Sequence, residues 1–190
     1  MKKIPTLFIR NPDDRRYVTD QVTPGCEWVL DGEGTPTRKV DGTCTMLDDH
    51  GRWWARREVK PGKTPPPGWR QVDHDETTGK RVGWEPIESS PFAKYHDEAL
   101  ANLTRSHPGT YELVGPKING NPEGEPTHEL FPHGSIRWPD EHNERSVADL
   151  ITFCRERGWE GVVWWHPDGR KAKLKVRDYP EGETESHEQS

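Results

Sequence analysis

The apolar residues of this chain occur in short runs, and turns rich in glycine and proline separate one run from the next. No run approaches the roughly 18 apolar residues that a membrane-spanning helix requires. Glycine and proline occur 18 times each, and both residues end regular structure more often than they extend a helix. The sequence therefore predicts short strands joined by turns, with few helices.

Strands are predicted wherever valine, threonine or an aromatic residue recurs between turn residues. The predicted strands are Cys26–Leu30, Arg38–Leu47, Arg52–Val59, Trp69–Val72, Val82–Ile87, Thr110–Val114, His128–Phe131, Gly161–Trp165 and Ala172–Val176. Helical spacing of apolar residues predicts helices at Phe92–Leu103 and at Val147–Arg157, the second with Ser146 as its N-cap. Hairpin signals between the strands favour an α+β fold of antiparallel sheets with a few flanking helices.

The composition bears on whether such a chain folds at all. Charged residues make up 32% of it and hydrophobic residues only 29%, which approaches the balance of a disordered chain. The net charge is only −6, however, and nine tryptophans supply large surfaces for burial. We therefore expect one folded domain over residues 1–179 and a disordered acidic tail over residues 180–190.

Cysteine use and charge limit the setting and the partners. The three cysteines are odd in number and widely spaced, which favours a reducing, cytoplasmic location over a disulfide scaffold. No secretion signal, membrane partner or obligate protein partner is visible in the sequence. The acidic net charge argues against coating of nucleic acid, but basic residues are bunched in Arg52–Lys63 and Arg170–Arg177, which is compatible with a local basic groove.

The segment Lys39–Thr43 is the first candidate for chemistry. On an extended strand Lys39 and Asp41 share a face, and Gly42 permits a sharp turn or a close approach to a ligand. A nucleophilic lysine must lose its proton, which neighbouring cations, a metal ion or burial make easier. The alternative interpretation is an ordinary solvated hairpin edge.

Two later segments carry charge next to apolar strands. Glu160 leads directly into the apolar strand Gly161–Trp165, and a carboxylate there is costly unless it binds a metal ion or a cation. On the following strand, alternation places Lys171, Lys173 and Lys175 on one face, where they repel one another unless an anion binds. The alternatives are an exposed carboxylate and a lysine face that protects a sheet edge.

The order of these segments is more specific than any one of them. A Lys-x-Asp-Gly sequence, a basic strand, the isolated Glu112, Glu-Gly-Val-Val and Lys-x-Lys follow one another between Lys39 and Lys175. This order resembles the covalent lysine nucleotidyltransferase superfamily of ATP-dependent DNA ligases, RNA ligases and mRNA capping enzymes. In that superfamily five collinear motifs line one nucleotide pocket between two antiparallel sheets. The resemblance implies a nucleotidyltransferase core of the ATP-grasp-like ligase type.

Within the superfamily the details are similar to small stand-alone 5′-3′ RNA ligases. Cys44 stands where DNA ligases and capping enzymes usually carry an arginine, and Thr43 after Asp-Gly is more typical of RNA ligases. The segment Trp54–Arg56 extends the similarity. Only 15 residues follow Lys175, so we expect a core without the OB domain of DNA ligases.

The resemblance implies a catalytic role for several motif residues. Lys39 would attack the α-phosphate of ATP and hold AMP as a phosphoramidate, with Asp41 positioning Lys39 or a metal-bound water. Lys173 and Lys175 would neutralise the α-phosphate and assist the departure of pyrophosphate. Glu160 would hold Mg²⁺ or Mn²⁺, since hard divalent ions prefer carboxylate and phosphate oxygens.

Nucleotide contacts and the reaction follow from the same resemblance. Glu112 would bind the ribose hydroxyls, and Arg56, together with Arg57, would contact the ribose or a phosphate. Thr37 and Arg38 are candidates for contacts with adenine only through their adjacency to the nucleophile. The implied reaction joins a 5′-phosphate and a 3′-hydroxyl of RNA through lysyl-AMP and RNA-adenylate intermediates.

Three alternatives stay open at this point. A ligase for DNA or nicked hybrids belongs to the same superfamily. A non-catalytic nucleotide- or RNA-binding module is a different class, and the joint presence of the expected lysines and glutamates argues against it. An unrelated antiparallel domain would leave the motif residues dispersed in space.

The adjacent Trp53 and Trp54 either stack on RNA bases or place one ring in the core.

Overall fold

The computed structural model of the chain describes residues 2–137 and 146–179. These residues form mixed α and β structure, which confirms the predicted α+β class at that level. The chain divides into two compact units. One contains Val40–Ile136 and the described residues before Ile4, and the other contains Ile4–Lys39 and the described residues from Arg137 onward. The expected tail over residues 180–190 lies outside the described residues.

The regular elements are short throughout. In chain order the strands are β1 (Phe8–Arg10), β2 (Val18–Val22), β3 (Thr35–Lys39), β4 (Thr43–Leu47), β5 (Trp53–Val59), β6 (Arg70–Asp75), β7 (Lys80–Pro86), β8 (Gly109–Val114), β9 (Glu129–Pro132), β10 (Gly161–Trp165) and β11 (Lys171–Lys175). The α-helices of the described residues are α1 (Ala93–Asn102) and α2 (Val147–Glu156). None of the described helices is long and apolar enough to cross a membrane.

The first unit, which we call the six-strand unit, is built on one antiparallel sheet. Its strand order is β6-β7-β5-β4-β8-β9, and α1 packs against β9. One buried hydrophobic cluster of this unit consists of Leu47, Ala99, Tyr111, Leu113, Ile118 and Leu130. Just before β4, a Cβ on Gly42 would lie 2.2 Å from the carbonyl oxygen of Leu113, so only glycine allows this close approach to β8.

The second unit, which we call the three-strand unit, has β10 at the centre of the antiparallel sheet β11-β10-β3. The apolar residues of β11 alternate with lysines, as the sequence predicts, and pack into the core. The strand β10 is apolar throughout, and its first four residues are buried. That core consists of Leu7, Phe8, Val18, Cys26, Trp28, Val29, Leu150, Ile151, Phe153, Cys154, Val162, Trp164, Ala172 and Leu174. The helix α2 covers β10, and its first turn carries a capping box between Ser146 and Asp149.

The predicted strand Cys26–Leu30 is wrong. Its central residues Glu27–Val29 form a short 3₁₀ helix whose Trp28 is buried. The Glu27 carboxylate accepts from the backbone N–H of Gly25, and the Trp28 indole donates to the Gly25 carbonyl. These local hydrogen bonds close a turn after Pro24, and an apolar run this short does not distinguish a strand from a helical turn.

The predicted single strand Arg38–Leu47 is also wrong, because it is two strands. Up to Lys39 the chain pairs with β10, and from Thr43 it pairs with β8. Val40–Gly42 therefore lies between two different sets of hydrogen-bonding partners. The strands β1 and β2 were not predicted, since they are short and mostly polar outside Phe8 and Val18.

Candidate functional site

Lys39 and Lys175 meet on one carboxylate in the three-strand unit. The Nζ atom of Lys39 donates to Oε2 of Glu160, and the Nζ atom of Lys175 pairs with Oε1. Only 8% of the Glu160 side chain is exposed, compared with about one fifth of each lysine side chain. The structure thus brings three predicted site residues together, and Glu160 has its charge paired rather than exposed.

The register of the sheet produces this cluster. Gly161, the first residue of β10, lies opposite Lys39 on β3 and opposite Lys175 on β11. Because directly opposed residues share a face, both lysines project to the same side, next to Glu160. A Cβ at position 161 would lie 2.1 Å from the Leu174 carbonyl oxygen, so glycine permits the approach of β11.

Electrostatics keep Glu160 ionised. Burial alone would raise the pKa of its carboxyl, but the ammonium groups of Lys39 and Lys175 outweigh burial and hold the pKa below its usual value. The cluster therefore carries a fixed negative charge between two positive charges. Such an arrangement keeps a net cationic site at a partly buried position, which favours a phosphate-bearing ligand.

The remaining lysines of β11 extend the cationic face. Lys171, Lys173 and Lys175 alternate with buried Ala172 and Leu174, as the sequence predicts. Lys173 lies opposite Val163 on β10, and its backbone pairs with the segment before β1 on its other side. Lys171 places its Nζ atom 4.4 Å from the centre of the Trp165 ring. The lysine face is thus one side of a sheet whose other side is core.

Thr37 and Arg38 belong to β3, beside the lysine cluster. Thr37 is buried, and its hydroxyl donates to the Val163 carbonyl and accepts from the Trp165 indole. The Arg38 guanidinium lies 4.6 Å from the centre of the Trp159 ring. Both side chains therefore have structural contacts within the unit, and their expected contacts with adenine stay predictions.

Glu112 anchors a second cluster, in the six-strand unit. Its Oε1 atom accepts from the backbone N–H of Gly42 at 3.1 Å, and its Oε2 atom lies 2.7 Å from Nε2 of His133. The Glu112 side chain is 12% exposed. The glutamate expected to bind ribose thus contacts the glycine of the Lys-x-Asp-Gly motif directly.

The backbone around Asp41 and Gly42 is fixed on both sides. The N–H of Asp41 donates to Oε1 of Glu123 at 2.7 Å, and the Gly42 carbonyl accepts from the Asn119 side chain at 2.7 Å. With the Glu112 contact, successive peptide groups of the motif have side-chain partners. Side chains far away in the sequence thus satisfy the peptide groups of Asp41 and Gly42 within the six-strand unit.

Arg56 and Glu112 line the same cavity of the six-strand unit. This cavity has a volume of about 530 Å³ and is also lined by Gly42, Thr43 and Cys44. Arg57 is exposed and does not line the cavity. Of the two arginines considered from sequence, Arg56 is thus the one that shares a cavity with the motif glycine and Glu112.

The two neighbouring tryptophans are both engaged inside the six-strand unit. Trp54 is 1% exposed, and its indole donates to Asp48 at 2.9 Å. The Trp53 ring packs against the rings of His96 and Tyr111, at centroid distances of 4.6 and 5.0 Å. These contacts favour the core interpretation over stacking on RNA bases.

Sequence reasoning missed His133. Its spacing from other potential ligands in the sequence gave no metal-site signal. The strand pairing of β8 with β9 is what brings His133 to Glu112. Cys44 is partly buried and joins the same cluster.

Comparison with known proteins finds relatives that share one name. The chain is similar to proteins named RNA ligase 1. It is 27% identical to that of Pongo abelii, in an alignment that covers 73% of this chain and 65% of the relative. It is 32% identical to that of Danio rerio over 57% of this chain and 38% of the relative, and 40% identical to that of Mus musculus over 50% and 39%. The chain thus spans less than two thirds of the length of these relatives. No protein-family model matches the chain.

Proposed function

We propose that this chain is an ATP-dependent RNA ligase that works through a lysyl-AMP intermediate on Lys39. The single observation that carries the proposal is the convergence of Lys39 and Lys175 on the buried carboxylate of Glu160. The similarity to proteins named RNA ligase 1 supports the choice of RNA. Cys44 and Thr43 at the motif also favour RNA ligases over DNA ligases.

The first proposed step is transfer of AMP to the enzyme. The Nζ atom of Lys39 loses a proton to water and attacks the α-phosphorus of ATP. A P–N bond forms, the bond to pyrophosphate breaks, and pyrophosphate leaves. Glu160 orients Lys39 by accepting its hydrogen bond, and Lys175 stands beside it to balance charge on the phosphate. Phosphoryl transfer depends mainly on such placement and charge balance.

The second and third proposed steps transfer AMP to RNA and then seal the ends. An oxygen of the RNA 5′-phosphate attacks the α-phosphorus, and the Lys39 amine leaves. The 3′-hydroxyl of the other end then attacks the activated 5′-phosphate, a phosphodiester forms, and AMP leaves. The three steps consume one ATP and release pyrophosphate and AMP.

A divalent cation fits this proposal through the chemistry of its donors. Glu160 offers hard carboxylate oxygens, which together with phosphate oxygens suit Mg²⁺ or Mn²⁺. Such an ion would neutralise charge on the phosphates of ATP. In the structure both Glu160 oxygens accept from lysines, so Glu160 would exchange one of these contacts for the ion.

A joining assay tests the proposal. RNA with a 5′-phosphate and a 3′-hydroxyl is incubated with ATP and Mg²⁺, and ligated product is separated by gel. We expect product from the wild-type chain and none from Lys39→Arg, since a guanidinium keeps the positive charge beside Glu160 but is not a nucleophile. Lys171→Arg, on the same cationic face, is the matched control and should retain activity.

The same assay with DNA strands of the same sequence tests the alternative that the chain is a DNA ligase. Joining of RNA at a rate at least tenfold above DNA is the expected result. Faster joining of DNA would make the chain a DNA ligase of the same chemistry. ATP-independent binding of RNA without any joined product would instead favour a non-catalytic binding module.

A further inference from the structure

Two neighbouring strands of the six-strand unit and the residue that follows a third present a thiol, a carboxylate and an imidazole to one another. Cys44 on β4 lies directly opposite Glu112 on β8. His133 follows β9, and its backbone N–H donates to the carbonyl of Thr110, two residues before Glu112 on the same strand. Directly opposed and diagonal neighbours on a sheet share a face, so the three side chains converge.

The potential metal-binding atoms of these residues are close together. The Cys44 Sγ atom, a Glu112 carboxylate oxygen and a His133 ring nitrogen all lie within 4.8 Å of one another. The side chains are partly buried, with 12% of Glu112 and 20% of His133 exposed. Cys44 and Glu112 also line the cavity of about 530 Å³, which gives an ion a path to the cluster.

The groups around the cluster already hold two of the three side chains in place. His133 Nδ1 lies 2.8 Å from the Thr110 hydroxyl, so an imidazole that used Nε2 for a metal would donate its N–H to that oxygen. The backbone N–H of Gly42 holds the other oxygen of Glu112. Metal-binding histidines and carboxylates commonly have such partners, which fix their tautomer and orientation.

We propose that Cys44, Glu112 and His133 form a binding site for a borderline transition-metal ion such as Zn²⁺. A thiolate and an imidazole select such ions over Mg²⁺ and Ca²⁺, which prefer oxygen ligands alone. Three protein ligands would leave one position of a tetrahedral ion for a water molecule or another ligand. To admit the ion, Glu112 and His133 exchange their 2.7 Å hydrogen bond for contacts to the metal.

The site has a consequence for the proposed function, and this consequence rests on that function. Glu112 is the residue expected to bind the ribose of ATP. A carboxylate that holds Zn²⁺ is not available to the ribose hydroxyls, so Zn²⁺ and ATP should compete for Glu112. Zn²⁺ would therefore inhibit formation of lysyl-AMP even when Mg²⁺ is present in excess.

Cobalt substitution tests the metal site independently of activity. The full chain, kept reduced, is titrated with Co²⁺, whose bond to a thiolate gives a charge-transfer band in the near ultraviolet. We expect one Co²⁺ per chain, displacement by Zn²⁺ and no displacement by excess Mg²⁺. The band should disappear in Cys44→Ser, and the affinity should fall at least tenfold in His133→Gln.

Controls distinguish this site from adventitious binding. His74→Gln removes an exposed histidine of β6 and should leave the band unchanged. The rate at which the Cys44 thiol of the wild-type chain is alkylated tests the site without any variant. We expect Zn²⁺ to slow this reaction. A band that persists in Cys44→Ser, or alkylation of Cys44 that Zn²⁺ does not slow, would overturn the site.

The same samples separate the site from the proposed function. The wild-type chain could bind Co²⁺ through Cys44 and form no lysyl-AMP with Mg²⁺ and ATP. That result would support the metal site and contradict the proposed ligase function. Lysyl-AMP formation that Zn²⁺ inhibits in the wild-type chain, and inhibits at least tenfold less in Cys44→Ser, supports the competition. Equal inhibition of both chains would contradict it.

Discussion

Lys39 and Lys175 contact opposite oxygens of one buried carboxylate, that of Glu160. The two lysines are far apart in sequence, and the central strand of the three-strand sheet brings them together, because Gly161 pairs with both. The carboxylate therefore serves the fold and the proposed chemistry at once. It balances two partly buried cations and orients the lysine expected to carry AMP.

Replacing Glu160 with glutamine should destabilise the chain at neutral pH by about 1–3 kcal/mol, because two partly buried ammonium groups lose their counter-charge. The pKa of the folded Glu160 carboxyl is held below its usual value. Its stabilising effect is thus complete above the unfolded pKa of about 4.3, and it is lost as the pH falls through the lower folded-state pKa.

Thermal unfolding of the wild-type chain and Glu160→Gln between pH 7 and pH 3 measures this effect. The difference in melting temperature between the two chains should be largest near neutral pH and shrink in acid. A difference that grows as the pH falls would contradict the pairing, since other acidic groups titrate equally in both chains.

Alanine at Gly161 should weaken the three-strand unit more than alanine at Gly169. The new Cβ at 161 would lie 2.1 Å from the Leu174 carbonyl oxygen, whereas nothing lies within 4 Å of a Cβ at 169. Both positions have positive φ, so Gly169→Ala should cost about 1–2 kcal/mol for backbone strain alone. Urea unfolding should show a larger loss for Gly161→Ala, and equal losses would argue against the close approach.

The sequence predicted β11 because its lysines alternate with apolar residues, which the structure buries. It predicted β10 as a short apolar run next to a turn, and four of its five residues are buried. For Gly42 it predicted a sharp turn or a close approach to a ligand, and the structure shows a close approach to the Leu113 carbonyl of β8. The strand patterns are local, so neighbouring residues alone reveal them, whereas the partner of Gly42 lies far away in the sequence.

Features that depend on distant pairing were not predictable in the same way. The sequence pattern predicts one strand from Arg38 to Leu47. In the structure the strand pairing changes from β10 to β8 at Val40–Gly42. The contact of His133 with Glu112 depends on the register between β8 and β9, which no spacing along the chain encodes. For Glu160 the sequence predicted that the carboxylate binds a metal ion or a cation, but it did not identify Lys39 and Lys175 as its partners.

The expected role of Glu112 can be measured with a modified nucleotide. If its carboxylate binds the ribose hydroxyls, 2′-deoxy-ATP should adenylate the wild-type chain about 10- to 100-fold more slowly than ATP at limiting concentration, the effect of one hydrogen bond to a charged group. Glu112→Gln should react more slowly with ATP but discriminate less between the two nucleotides. An unchanged ratio in Glu112→Gln would place the ribose contact on another residue.

The central claim is that Lys39 becomes covalently adenylated, and peptide mapping by mass spectrometry tests it most directly. The chain is freed of any bound AMP, incubated with ATP and Mg²⁺, denatured and digested. We predict that the peptide containing Lys39 gains the mass of one AMP, and that Lys39→Arg gains none while Lys171→Arg gains as much as the wild-type chain. AMP on a different residue, or no AMP on a folded wild-type chain, would contradict the account.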